Sequence, residues 1–114
     1  VYNKYLILLT ASLSFTLHAD NFGDPELGKL KSPSCVFCHS VAGDNTNKNY
    51  PDLKGQDPLY LFNTMKMYKN DQRKGAYADM MKAQLSRLSE QDLKDIAAYY
   101  ASLSNSKLSH IESE

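Results

Sequence analysis

The chain reads as an all-α domain folded around a cofactor. Helix-start signals recur at Asp24-Pro25-Glu26, Asp57-Pro58 and Ser89-Glu90-Gln91-Asp92, each pairing a capping side chain with proline or an acid in the first turn. No alternating run of β-branched residues marks a strand. Both cysteines of the chain fall in one pentapeptide, Cys35-Val36-Phe37-Cys38-His39.

Taken in order, Lys4 precedes an apolar run from Tyr5 to Leu17, and small or tolerated residues lead to Ala19. This is the layout of a secretory signal, with cleavage expected before Asp20. The run falls short of the roughly 20 apolar residues that span a bilayer; a retained anchor is the alternative. Residues 1–19 are therefore assigned as leader, 20–104 as the folded domain, and 105–114, rich in serine and charge, as a polar flexible tail.

Within the domain, Pro25 opens a helix through Leu27, Gly28 and Leu30 that must end near Ser32-Pro33. A short helical turn is expected to carry the cysteine motif. Residues 41–53 read as loop, punctuated by Gly43, Asp44, Asn45, Asn47, Asn49 and Pro51. A helix from Pro58 carries Leu59, Leu61, Phe62, Met65 and Tyr68 and stops at Asn70-Asp71. The last helix carries Leu93, Ile96, Ala97, Tyr100 and Leu103, a helical stripe. Residues 70–79 look irregular, and Met80 and Met81 are read as part of the polar stretch before that helix.

The C-x-x-C-H spacing is that of c-type haem attachment. Two thiols add to the two vinyl groups of one porphyrin, and the next residue, His39, binds iron from the proximal side. A thioredoxin-type dithiol needs a preceding strand and a βαβ pattern, which Cys35 lacks. A zinc site needs four ligands, and the other histidines, His18 and His110, fall in the leader and the tail. A disulfide between Cys35 and Cys38 closes too small a loop to constrain the unfolded chain much. One covalent haem c is therefore expected. It also suits the size of the domain: about 95 residues bury only a modest core, and a large flat apolar group fills its centre.

Iron then needs a second axial ligand or stays open. Met65, Met67, Met80 and Met81 are the candidates. A thioether is a soft donor that favours ferrous iron and raises the potential. Met65 and Met67 lie in an amphipathic helix, where methionine more often fills core. The later pair is favoured as a swinging loop ligand, and spacing does not choose within it.

At this point the chain resembles the class I cytochromes c, in particular the small bacterial type repeated in cytochrome c4. The resemblance spans nearly all of residues 24–103. It rests on Gly28 seven residues before Cys35, on the haem motif, on Asn49-Tyr50-Pro51-Asp52-Leu53-Lys54-Gly55-Gln56, on Met81 seven residues before Leu88-Ser89, and on Ile96-Ala97-Ala98-Tyr99-Tyr100-Ala101-Ser102-Leu103. It implies the class I cytochrome c fold, short helices wrapped around one haem. It selects Met81 as the axial ligand with Met80 as runner-up, and has Pro51 present its carbonyl to the His39 ring. It implies that Gly28 lets the first helix approach the last beneath Tyr99 or Tyr100, and that Arg73 lies near the propionates. Leu53, Phe62 and Leu85 are expected as apolar haem contacts. Cytochrome c4 carries two such domains and this chain one motif, so the resemblance is to a monohaem relative.

With His39 and Met81 filling both axial positions, the resemblance implies an electron-transfer protein and not an enzyme. The expected role is a soluble, monomeric periplasmic carrier of single electrons between respiratory partners, a reductase and a terminal oxidase or reductase. The rival reading is a haem-based ligand sensor or peroxidase-like enzyme with an open or labile sixth position. Thirteen basic and thirteen acidic residues give no basic face for nucleic acid and little electrostatic steering.

Overall fold

The structure, a computed structural model, describes residues 22–42 and 47–103. The expected leader and tail lie outside the described residues. Four α-helices follow one another: α1 (Pro25–Lys31), α2 (Pro58–Lys69), α3 (Ala78–Leu85) and α4 (Glu90–Ser102), with a 3₁₀ turn at Cys35–Phe37. The described residues contain no strand, and none of their helices is long and apolar enough to cross a membrane.

Three helices begin where the sequence signals stand. The Asp24 carboxylate accepts from the N–H groups of Glu26 and Leu27 at 2.9 and 3.2 Å. Asp57 accepts from the Tyr60 N–H at 2.8 Å. Ser89 and Asp92 form a reciprocal capping box: the Asp92 N–H donates to Ser89 Oγ at 3.1 Å, and the Ser89 N–H donates to Asp92 Oδ2 at 2.8 Å.

The fourth helix, α3, corrects the loop reading of Met80 and Met81. Its start is held by no side-chain cap; Tyr77 stands there in the left-handed region at φ 66°. Ala, Met, Lys, Gln and Leu are good helix formers, but nothing in the sequence announces the first turn.

The buried core consists of Leu61, Phe62, Leu85, Leu93, Ile96, Ala97 and Tyr100. The last four form the stripe of α4, with Leu103 half-buried at its end. α1 crosses α4 at Gly28. A Cβ there would overlap the Asp95 carbonyl and come within 2.8 Å of the Tyr99 Cβ, so no larger residue fits without parting the helices. Gly23 makes a similarly close approach to the Lys94 carbonyl.

One charged group lies inside this crossing. Asp95 is 1% exposed. It accepts from the Asp24 N–H at 2.8 Å, Lys31 Nζ at 2.6 Å and Gln91 Nε2 at 3.0 Å, as a buried carboxylate must. Lys31 also reaches Asp92 at 2.8 Å. Burial works against the charge of Asp95, but Lys31, the Asp24 N–H and Gln91 outweigh it and hold its pKa below the ordinary value. Asp92 is drawn down to about 2, by Lys31 first and then by Ser89.

Candidate functional site

A cavity of about 480 Å³ opens between the cysteine motif, α2, α3 and α4, within the range of pockets that hold cofactor-sized molecules. Leu61, Leu85, Ile96 and Ala97 contribute its apolar floor. Cys35, Cys38, His39, Pro51 and Leu53 line it, as do Met65, Tyr68, Arg73, Met80 and Met81.

The motif enters through the 3₁₀ turn. The His39 N–H donates to the Cys35 carbonyl at 2.8 Å, and the Cys38 N–H to the same oxygen at 3.2 Å. This compact turn presents both thiols and the imidazole to one cavity. Val36, between the cysteines, is exposed and does not line the cavity, while Phe37 is 87% exposed at its rim. His39 is buried, with Nδ1 2.7 Å from the Pro51 carbonyl oxygen. A carbonyl can only accept, so Nδ1 carries the proton and Nε2 keeps its lone pair. The bond fixes both tautomer and ring orientation and raises the basicity of the free nitrogen. The loop after Pro51 is tied down in turn: the Gly55 N–H donates to the Tyr100 carbonyl at 2.9 Å.

Of the two adjacent methionines, Met81 is half-buried against the core, whereas Met80 is 40% exposed. Met65 lines the cavity from α2; Met67, one residue beyond the facing stripe, does not. The same rotation corrects Phe62. Residues 61, 65 and 68 face the cavity, while Phe62 turns away to meet Phe22 edge-on at 5.5 Å between ring centres. Leu53 and Leu85 line the cavity. Arg73 reaches its wall with the guanidinium 5.2 Å from the Tyr68 ring centre, and Lys74 turns instead to Asp71 at 3.0 Å.

Sequence reasoning missed the tyrosines of the site. Tyr50 meets the His39 ring at 6.3 Å and the Tyr77 ring at 5.3 Å, linking the histidine side of the cavity to the start of α3. Tyr100 is 1% exposed and lines the cavity beside Cys35. Its hydroxyl is buried without a hydrogen-bond partner among the described residues, and an unmet buried hydroxyl costs about 1–3 kcal/mol. Burial, then Cys35 and Tyr99 nearby, push its pKa up; burial likewise pushes the Cys35 thiol up.

Paired thiols, a histidine held as an Nε2 donor and thioethers on one apolar cavity define the site of a c-type haem protein. Comparison with known proteins agrees. The cytochrome c family profile matches residues 28–104, and the chain belongs to the cytochrome c family. It is 42% identical over 80 residues to cytochrome c-554(548) of Halomonas halodenitrificans, covering 70% of this chain and 96% of that protein. It is 38% identical over 106 residues to cytochrome c4 of Stutzerimonas stutzeri, covering 88% of this chain and 50% of that one. The crystal structure of reduced recombinant cytochrome c4 from Pseudomonas stutzeri superposes with a TM-score of 0.65 at 36% identity, over 74% of this chain and 47% of the other. The chain thus spans nearly all of the first relative and about half of the cytochromes c4.

Family members are electron-transfer proteins that carry covalently bound haem c, and the residues here fit that group. The cavity lining is mainly apolar, both thiols and His39 stand on it, and it includes a buried hydroxyl with no hydrogen-bond partner among the described residues.

Proposed function

We propose that this cytochrome c is an exported periplasmic carrier of single electrons, with haem attached through Cys35 and Cys38 and axial ligation by His39 Nε2 and Met81 Sδ. The haem supplies one-electron chemistry at iron. The chain supplies two donors of unlike character, a basic imidazole and a soft thioether, and the thioether favours the ferrous state. The carrying observation is the 2.7 Å bond from His39 Nδ1 to the Pro51 oxygen. It holds the imidazole as an Nε2 donor on a cavity that Met81 also lines. Met81 is preferred to Met80 because it packs into the core while its neighbour stays half in solvent. Its helix holds it there: the Met81 N–H donates to the Tyr77 carbonyl at 2.9 Å. Pro51 and Leu53 act as haem environment, and Arg73 provides a cation at the wall.

The partners proposed are redox proteins, a reductase on one side and a terminal oxidase or reductase on the other. The test is an absorption spectrum of the purified periplasmic protein, followed by exposure to carbon monoxide. Low-spin c-type bands, a weak far-red methionine–iron band and slow carbon monoxide binding are expected. Rapid binding at neutral pH would replace the carrier with the ligand-sensor or peroxidase-like reading.

A further inference from the structure

Tyr100 presents a problem that the proposed ligation leaves unsolved. Its ring belongs to the core, where phenylalanine would serve as well. Its hydroxyl, however, is buried on the cavity lining and has no partner among the described residues. Buried donors in folded proteins are met, so the acceptor belongs to what the cavity holds or to a group that changes when the cavity is filled.

The location narrows the choice. Tyr100 and Cys35 line the same cavity, and Cys35 packs against the core cluster to which Tyr100 belongs; each side chain also perturbs the ionisation of the other. Cys35 is one of the two proposed attachment points, so this end of the cavity takes the vinyl edge of a porphyrin. The propionates of such a group, its only strong acceptors, would lie away from its vinyl-derived edge. That removes a carboxylate as partner and leaves the sulfur. A thioether sulfur is a weak acceptor, but the Tyr100 hydroxyl is buried, out of reach of bulk solvent.

We propose that Tyr100 is a positioning residue for the cofactor: its buried hydroxyl donates a hydrogen bond to the sulfur of Cys35, holding that thioether in place and drawing electron density from it. This rests on the attachment reading above. The bond acts on the potential through the porphyrin edge, separately from the axial ligands. Hydrogen bonding around a redox centre is one of the means by which a protein sets its potential, and a donated bond favours the reduced state.

The experiment compares Tyr100→Phe with wild type in two holoprotein backgrounds. One is the natural two-cysteine chain. The other carries Cys35→Ala and keeps its haem through Cys38 alone. In the two-cysteine protein the midpoint potential should fall on Tyr100→Phe. In the single-cysteine background that fall should vanish, because the acceptor is gone. A potential that does not fall, or that falls equally in both backgrounds, overturns the proposal; a purely structural hydroxyl would give the first result and a different acceptor the second. Should the Phe variant fail to mature, the unmodified ferrous holoprotein decides by proton NMR. The Tyr100 hydroxyl proton should exchange slowly and show a cross-peak to the Cys35 β-protons; fast exchange or no cross-peak overturns the assignment. If the wild-type protein carries no covalent haem, the attachment reading itself fails, and that is seen before any variant is compared.

Discussion

Gly28→Ala tests the packing of α1 on α4 with two opposed effects. Alanine is the better helix former, and in an unconstrained helix the change would stabilise by about 0.5–1 kcal/mol. At this position the new methyl meets the Asp95 carbonyl, which is backbone and cannot rotate away, and lies 2.8 Å from the Tyr99 Cβ. Relief requires α1 to move off α4. Overpacking costs about 1–3 kcal/mol, and a rigid neighbour places this site at the upper end. The movement also stretches the 2.8 Å bond from the Asp24 N–H to Asp95. The net loss is about 2 kcal/mol, or about 8–16 °C in melting temperature for a domain of this size. The assay is thermal unfolding of the holoprotein by far-UV circular dichroism, with Leu30→Ala, at a site 75% exposed, as a control expected to stay near wild type. A Gly28→Ala protein that melts at or above wild-type temperature refutes the close-approach argument, since propensity would then have prevailed.

Replacing Met81 with Ala should abolish the far-red band, lower the potential and open the iron to carbon monoxide. The same change at Met80 should leave ligation intact, as the spectra of the two variants will show. Acid sensitivity follows from Asp92 and Asp95, whose pKa values are depressed in the folded state. Their contribution is full above the unfolded value near 4 and is lost as pH falls through the folded values, about 2 for Asp92. Melting temperature should therefore drop over that window, less steeply in Lys31→Met; an equal slope in both proteins would contradict the clasp. The chain with Cys35→Ser and Cys38→Ser should lose most of its helical signal and its cooperative melt, because the empty cavity divides an already small core. A native-like melt would show that the cofactor is dispensable for folding.

The sequence was most readable where the determinant is local. Asp-Pro twice and the Ser89 box mark three helix starts, because the cap and the group it satisfies lie within four residues. The pentapeptide identifies one edge of the cavity for the same reason. α3 was opaque because its start has no capping side chain and follows Tyr77 in the left-handed region, a conformation set by what surrounds it. Phe62 and Leu61 are adjacent and equally apolar, and only the tertiary direction of α2 decides which one faces the cavity. Asp95 looks like a surface acid on a helix. Its burial depends on Asp24 and Lys31, 71 and 64 residues away, and no local pattern reports such partners.

The joining of α1 to α4 also bears on how the polypeptide behaves while it is being made. α1 has seven residues, too few to persist as an isolated helix in water. It leaves the ribosome before the other helices, yet the surface it needs is the last to be synthesised. Gly28 and Lys31 have nothing to seat against until residues 92–99 have emerged. Early domain formation is therefore blocked by the order of synthesis itself. A nascent chain that cannot close on its own beginning stays threadable, as the export proposed above would require.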